Sequence, residues 1–300
     1  MRVIPASDIN RALHGANLVE RLRTAFRSEH VRLSTDTLSM PSPGGATNSV
    51  TNSIAWTENR FVGIRINSAF PDNIDAGKSA DMGLYVLMSG RNGDALAMID
   101  GPALFAWSRA ASIGLAASYF ARPDCERLLL LGVTPALRPI LRTLSATRPI
   151  ANVLIWDKDP QKAAKMAAAL DQEDRRVAAT TDLEAAIRGA HIICQVDRHL
   201  SLDIKTAWLP SGSHFSMEAP FKTSSGIAID SWTNVRTATD NVLDDDETVR
   251  QTFKQMPANL FQVSRGEQPG RAGYGERTAF LQSGTGLEDL ILAITVLELS

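Results

Sequence analysis

Short apolar runs alternate with helical stretches from residue 126 onward, at the spacing of βαβ units. The run ERLLLLGVT at 126–134 ends in a turn and is typical of a parallel strand that is buried on both faces. A helix is predicted over 135–146 and a second strand, NVLIWD, over 152–157. Because parallel strands need crossover helices, this alternation predicts a parallel sheet with right-handed crossovers.

The alternation continues toward the C-terminus, and segments of a different texture precede it. After residue 157 we predict a helix, a strand RVAAT over 176–180, a helix over 182–188, a strand over 191–196 and an apolar element near 227–229. Before residue 126 we predict a helix over 8–27, a turn-rich polar stretch over 41–53, strands over 61–70 and 83–88, a hairpin turn at 91–94 and a long helix over 102–121. A final apolar helix is predicted over 286–299.

Charge and apolar run length exclude several classes of partner. The 300 residues include 31 basic and 33 acidic side chains, so the formal net charge is −2, which removes the electrostatic case for nucleic acid or an anionic membrane surface. The longest apolar stretches, 128–131 and 290–297, are far shorter than the ~20 residues that span a bilayer. Cys125 and Cys194 make neither a disulfide framework nor a zinc pattern, and MRVIPASDIN carries no apolar signal core. We therefore expect a soluble, reduced, cytoplasmic protein without a metal site.

The first turn of the parallel sheet departs from the dinucleotide-binding fingerprint G-x-G-x-x-G/A. Its sequence is GVTPAL, in which only Gly132 matches. Thr134 places a Cβ where the second glycine lets the backbone approach a pyrophosphate, and Leu137 replaces the small third residue. On this motif alone, an α/β sheet with a capped helix and no nucleotide is equally acceptable.

The same turn has features of an anion-binding helix start. Thr134 is a good N-cap and Pro135 suits the first helical position, followed by Ala136. Free N–H groups at a helix N-terminus bind anions, and the Thr134 hydroxyl can donate a further hydrogen bond. Asp157 ends the second strand, near the position of the carboxylate that binds the adenine ribose. If a dinucleotide binds at this turn, Asp157 favours NAD, and NADP is possible because Lys158 is adjacent.

Five segments occur in the order of one known family. They are GIRINSAFPDN (63–73), LMSGRNGDALAMIDG (87–101), SRAASIGLAASYFARPD (108–124), GSHFSMEAPFK (212–222) and TAFLQSGTGLEDL (278–290). The last of them is similar to a T-x-F-x-S-x-G-x-x-x-E-D-L signature. The ordered set, from about residue 8 to the C-terminus, resembles the ornithine cyclodeaminase/mu-crystallin family.

This resemblance implies a fold and a chemistry. The family consists of homodimeric NAD(P)-dependent enzymes of amino-acid metabolism, such as ornithine cyclodeaminase, alanine dehydrogenase and imino-acid reductases. Their shared step is hydride transfer between the nicotinamide and an amino-acid α-carbon. The implied α/β fold has a Rossmann-type NAD(P)-binding domain, 122–282, inserted into a substrate-binding and dimerising α/β domain, 1–121 plus 283–300. Antiparallel strands of the latter pair across a two-fold axis, and the final helix returns to it.

Four charged residues match positions of the family's substrate site. Arg109 stands at the helix arginine that binds the substrate carboxylate, with a surface arginine on an Ala-rich helix as the alternative. Arg32, in HVRLST, matches a second arginine of this kind. Glu218 stands at an aspartate beside the reacting nitrogen, with an exposed loop glutamate as the alternative. Arg65 stands at a lysine that contacts substrate and exchanges a proton.

The replacement of that lysine narrows the chemistry. Arginine is effectively never deprotonated in proteins, so Arg65 can hold a carboxylate or stabilise an anionic transition state but is a poor general acid or base. This disfavours the full cyclodeaminase cycle, which moves several protons. Because two fixed guanidinium groups repel each other, we expect Arg65 and Arg109 to converge on an anion or on a neighbouring carboxylate such as Glu218.

The resemblance implies oxidoreduction at a C–N bond of a small amino or imino acid, by a cyclodeaminase, an amino-acid dehydrogenase or an imino-acid reductase. The alternative is a degenerate family member that binds a ligand or dimerises without catalysis. The altered glycine loop, Arg65 and Glu218 favour this alternative. Arg109, Asp157 and the C-terminal signature favour the enzyme.

Overall fold

The computed structural model describes residues 1–28, 32–171, 175–197, 200, 202, 204–217, 234–237, 259–282 and 286–299. The chain divides into two compact units, Met1–Arg109 with Thr285–Ser300, and Ala110–Gly284. The division falls inside helix α3 (Gly101–Phe120), whose second half belongs to the second unit. None of the described helices is long and apolar enough to cross a membrane.

The first unit is a mixed sheet with helices. Its strands are β1 (Arg2–Ile4), β2 (Arg32–Pro41), β3 (Thr47–Thr57), β4 (Phe61–Ala69), β5 (Asp81–Ser89) and β6 (Ala95–Asp100), and its helices are α1 (Ala6–Ala12), α2 (Gly15–Ser28), the first half of α3, and α8 (Leu287–Leu299). The sheet order is β1-β6-β5-β4-β3-β2, with β1 parallel to β6 and the other neighbours antiparallel. Helix α8 packs against β3, β4 and β5 and against α1 and α2.

Two expectations for the first unit were wrong in their bounds. The helix predicted over 8–27 is two helices, because Leu13 is extended and ends α1 before Gly15 begins α2. The polar stretch predicted as turn-rich over 41–53 is mostly strand. Only 42–46 turns, around Gly45 with φ of 84°, and the Thr, Ser and Asn side chains that follow lie in β3. The hairpin at 91–94 is confirmed between β5 and β6.

The second unit is a parallel sheet. Its strands are β7 (Arg127–Leu131), β8 (Asn152–Trp156), β9 (Arg176–Ala179), β10 (Ile192–Gln195), β11 (His214–Met217), β12 (Asn234–Thr237) and β13 (Thr278–Leu281), and its remaining helices are α4 (Leu137–Thr147), α5 (Pro160–Ala168), α6 (Leu183–Gly189) and α7 (Leu260–Ser264). The order β9-β8-β7-β10-β11-β13-β12 is all parallel and has the Rossmann arrangement, confirming the predicted fold class. The apolar element predicted near 227–229 lies outside the described residues.

Two half-buried arginines bind the C-terminal end of α3 within the second unit. Arg148 Nη2 donates to the carbonyls of Ala117, Ser118 and Ala121 at 2.7–2.9 Å. Arg271 Nε donates to the Phe120 carbonyl at 2.6 Å. The last carbonyls of a helix have no partner within the helix, so these two cations satisfy them and complement the helix dipole.

Candidate functional site

The order in which successive strands are added to the parallel sheet reverses between β7 and β10, and Rossmann folds bind ligands at the carboxyl edge of the sheet at this point. The loops after these two strands meet there. Gly132, directly after β7, has φ of 91°, and a Cβ at this position would lie 2.4 Å from Cβ of Asp197, after β10. Glycine is therefore required at 132 both by the backbone conformation and by this close approach.

The helix after this loop begins later than predicted. The sequence suggested Thr134 as N-cap and Pro135 as first helical residue, but α4 starts at Leu137 with Ala136 as N-cap. Pro139 has no N–H to donate to the Pro135 carbonyl, so the first α-helical hydrogen bond runs from Ile140 to Ala136, at 3.0 Å. The preceding residues form a turn closed by the Leu137 N–H and the Thr134 carbonyl, at 3.1 Å.

Thr134 still supplies its hydroxyl to this loop. Its Oγ1 accepts from the Ala136 N–H at 3.3 Å and lies 3.4 Å from the Val196 carbonyl, to which it donates. Both distances are at the long end of the hydrogen-bond range. The hydroxyl is therefore held loosely and can turn toward a phosphate oxygen.

Asp157 lies next to the loop, directly after β8. Its Oδ2 accepts from the Val133 N–H and its Oδ1 from the Asp159 N–H, each at 2.9 Å. A carboxylate offers about four lone-pair sites, so these bonds leave room for ribose hydroxyls. The glycine turn, the helix start and this carboxylate together fit the adenosine half of a dinucleotide.

A second cluster of polar groups lies in the first unit, around Arg65 on β4. Arg65 Nη1 donates to Oδ2 of Asp289 on α8 at 3.0 Å. With its amide oriented to satisfy both groups, Asn67 accepts from Nε and Nη2 of Arg65, each at 3.0 Å. The guanidinium carbon lies 3.8 Å from the ring centroid of Phe105 on α3. Arg65 is thus held on two edges and one face.

Tyr85, directly opposite Arg65 on β5, completes the cluster. Its ring meets Phe105 edge-on, with centroids 6.5 Å apart. A Cβ at Gly63 would come within 1.9 Å of the Tyr85 hydroxyl, so glycine is needed there to admit it. Burial raises the pKa of Tyr85 well above its ordinary value, the charge of Asp289 adds to this and Arg65 partly offsets it. Tyr85 is therefore a neutral phenol at working pH.

Arg109 lies one helical turn beyond Phe105 on α3, so the two side chains share a face of the helix. Because Arg65 lies over Phe105, the structure brings Arg109 and Arg65 to the same region of the first unit. Arg109 is half-buried. The convergence of the two guanidinium groups on one anion stays a prediction.

Arg32 is not brought to this cluster. Thr35, Ser53 and Arg65 are direct cross-strand neighbours and share one face of the sheet. Arg32 is three residues from Thr35, so the pleat directs it to the opposite face, where its side chain is 68% exposed and lies 3.5 Å from Glu58. Glu218 lies outside the described residues.

The carboxylate expected beside Arg65 is Asp289, which the sequence argument missed. Its signal was present in the E-D-L signature at 288–290, which served only to mark the resemblance. His214, in contrast, has a structural role. Its Nδ1 lies 3.0 Å from Thr278 Oγ1 and its Nε2 3.1 Å from Ser216 Oγ, and burial together with Arg271 lowers its pKa to about 3.

Comparisons with known proteins agree on one group. The family model described as the ornithine cyclodeaminase/mu-crystallin family matches residues 3–299. A delta(1)-pyrroline-2-carboxylate reductase of Paracoccus denitrificans is 29% identical over 180 residues, which are 60% of this chain and 57% of that protein, less than two thirds of its length. A protein of the same name from Bacillus thuringiensis is 24% identical over 77% of this chain and 75% of its own.

A solved structure has the same fold over almost the whole chain. It is the Thermococcus litoralis delta(1)-pyrroline-2-carboxylate reductase in complex with NADH and L-proline. The TM-score is 0.87 at 19% identity, covering 99% of this chain and 97% of that one.

Proposed function

The chain belongs to the ornithine cyclodeaminase/mu-crystallin family, and from this premise we propose that it is an NAD-dependent oxidoreductase that reduces the C=N bond of a small imino acid. One observation carries the choice of reaction within the family. Arg65 stands where the resemblance places a proton-exchanging lysine, and it is clamped by Asp289 and Asn67. A clamped guanidinium supplies a fixed positive charge and no proton exchange, which suits a single hydride transfer better than a cyclodeaminase cycle.

The dinucleotide would be held by the carboxyl edge of the parallel sheet. Asp157 would accept from the ribose hydroxyls, and the Thr134 hydroxyl and the N-terminus of α4 would face the pyrophosphate. When bound, the reduced nicotinamide supplies the hydride for the imine carbon. The protein's own part is to bind, orient and neutralise charge.

The substrate carboxylate would be held by Arg109 and Arg65, whose planar guanidinium groups suit a two-point grip. Glu218, matching the family aspartate, is the proposed neighbour of the reacting nitrogen. A protonated iminium accepts hydride more readily than a neutral imine, so an anionic side chain beside the nitrogen would favour the reactive form. The reductases that the comparisons found act on a pyrroline carboxylate, so we propose a cyclic imino acid of this kind as substrate.

We also propose that the protein is a homodimer formed through the sheet of the first unit. Four exposed apolar side chains point to the sheet face away from α8: Val3, Leu38, Met40 and Met82. The half-buried residues Ile54, Trp56, Ile64, Ile66 and Val86 lie among them. A sheet face open to water is normally polar, so this open face, defined by these nine residues, favours a second copy as its cover.

A cytoplasmic location is part of the proposal. Cys125 and Cys194 are both buried and form no disulfide in the described part of the chain, as in proteins of reducing compartments.

The competing function is ligand binding or dimerisation without catalysis. The specific observation in its favour is Thr134 in place of the second loop glycine. Titration with NADH, followed by protein fluorescence, tests for the cofactor site that catalysis requires. A dissociation constant tighter than about 100 μM, within the usual range for enzyme ligands, supports the enzyme.

The function is tested with a panel of cyclic and acyclic imino acids, keto acids with amines, and diamino acids, using NADH absorbance and ammonia release as readouts. We expect NADH consumption with a cyclic imino acid and no ammonia from ornithine or lysine. Cofactor binding without turnover of any panel member would move the assignment to the binding role. Ammonia release from a diamino acid would assign the cyclodeaminase cycle instead.

A further inference from the structure

The buried carboxylate of Asp289 forms an ion pair with Arg65, the arginine of the proposed substrate site. The side chain of Asp289 is only 4% exposed, whereas that of Arg65 is 31% exposed. Its Oδ2 is paired with Arg65 Nη1, and its Oδ1 has no hydrogen-bond partner among the described residues. A buried charge needs compensation, and in the described part of the chain Arg65 is the group that supplies it.

The surroundings of this pair limit how Arg65 can move. Phe105 covers one face of the guanidinium, and Asn67 occupies the edge formed by Nε and Nη2. Tyr85 lies beside the pair. Its hydroxyl is buried and has no hydrogen-bond partner among the described residues. Neither Asn67 nor Tyr85 brings a charge at working pH, so the charge balance at Arg65 is set by Asp289.

The contacts of Arg65 with Asp289 and Asn67 do not use all of its N–H groups. A guanidinium has five N–H groups. Asp289 accepts a hydrogen bond from one N–H of Nη1. Asn67 accepts from the N–H of Nε and from one N–H of Nη2. With respect to the described residues, one N–H then remains on each Nη nitrogen, and two such donors suit the two oxygens of a carboxylate.

We propose that Asp289 is the positioning residue of the carboxylate subsite, which fixes the orientation of Arg65 so that these two N–H groups face the substrate. The inference rests on the proposed function and deepens it, because it assigns a role to a residue that does not itself contact substrate. A purely structural ion pair between β4 and α8 would predict lost stability in its absence but no selective loss of substrate binding.

Asp289→Asn is the central variant, because it keeps the shape and removes the charge. We expect KM for the imino-acid carboxylate to rise at least tenfold, with kcat changed less than about threefold and NADH affinity unchanged. The matched control is Glu298→Gln, on the same helix. Glu298 pairs with Arg21 at 2.8 Å in an exposed ion pair, so its loss should leave both constants unchanged.

A second measurement keeps the test independent of turnover. Arg65→Met leaves Asp289 buried without its cation, so the melting temperature should fall. The double variant Arg65→Met/Asp289→Asn should recover part of that loss, because the stranded charge is gone.

An unchanged KM in Asp289→Asn would overturn the proposal. So would an equal rise in KM for the imino-acid carboxylate and for its carboxamide analogue, which lacks the anionic group that Arg65 is proposed to bind. A double variant whose melting temperature is no higher than that of Arg65→Met would overturn it as well. Wild-type protein that turns over no imino acid would overturn the proposed function. The melting experiment would still report on the pair, so the two failures are distinguishable.

Discussion

Individual side chains in this protein carry roles that their types alone do not specify. Arg65 stands where the family has a lysine. Its contacts with Asp289, Asn67 and Phe105 fix the position of its positive charge. Asp157 serves two purposes, since it closes the loop after β7 through Val133 and keeps acceptor capacity for a ligand. In both places the chemistry follows from the neighbours.

Arg109→Lys tests the carboxylate grip. Lysine keeps the charge but loses the planar fork, so KM for a carboxylate substrate should rise tenfold or more, which is about 1.4 kcal/mol. Stability should change little. Arg11→Lys, at an exposed position of α1, is the control and should leave KM unchanged. An unaltered KM in Arg109→Lys would remove this residue from the site.

Asp157→Asn tests cofactor choice. The wild type should prefer NADH, because the carboxylate repels a 2′-phosphate. Asparagine keeps an oxygen for the Val133 N–H and removes the charge, so the ratio of NADPH to NADH affinity should rise about tenfold. Asp159→Asn, which retains an N-cap for α5, is the control and should leave the ratio unchanged. Wild-type protein that binds NADPH ten times more tightly than NADH would contradict the role of Asp157.

At the scale of elements, the sequence predicted strands and helices well where one apolar pattern dominates. The strands β8, β9 and β10 and helix α3 begin and end within one residue of their expected bounds, and β7 lies inside the apolar run predicted for it. The start of α4 was placed too early because Pro139 has no N–H to donate to the carbonyl of Pro135, four residues before it. Strands β11 and β13 were recognised only as family motifs. Their short sequences, HFSM and TAFL, mix polar and apolar residues, whereas seven of these eight residues are buried, so no apolar pattern marks them as strands.

The buried polar layer between β11 and β13 makes an acid-sensitive element. His214 has a folded-state pKa of about 3 against an ordinary value of about 6.5, so between these values the unfolded chain binds one more proton. Stability should therefore decrease as pH falls from about 6.5, by about 1.4 kcal/mol per pH unit from this residue.

Denaturant unfolding of the wild type and His214→Gln over this range checks the effect. The variant should show the shallower acid slope, whatever its stability at neutral pH, and His14→Gln, at an exposed position, should retain the wild-type slope. Equal slopes in the wild type and His214→Gln would mean that His214 is protonated in the folded state.

At the scale of the whole molecule, the chain consists of two units with different sheets. The residues proposed to bind substrate and cofactor are far apart in sequence. The parallel sheet could be predicted from alternation alone. The cluster around Arg65 could not, because it joins β4, β5, α3 and α8, and the pairing of Arg65 with Asp289 spans 224 positions. Only the resemblance brought these segments together before the structure did.

The open face tests the assembly. Ile64→Asp places a charge in the middle of this half-buried face and should convert a dimer to a monomer, measured by sedimentation. Leu299→Asp, at an exposed apolar position on α8, should leave the dimer intact. A wild-type protein that sediments as a monomer at micromolar concentration would contradict the proposed dimer.

The central claim is that hydride passes from a reduced nicotinamide to the α-carbon of an imino acid. The direct measurement uses NADH labelled with deuterium at the transferred position, incubated with a cyclic imino acid, and determines by mass spectrometry and NMR where the label goes. We predict one deuterium per product molecule, on the α-carbon, and about tenfold less labelled product in the same time from Arg109→Lys at a substrate concentration well below KM. Product without label, or label that remains on the nicotinamide while the protein binds it, would contradict the account.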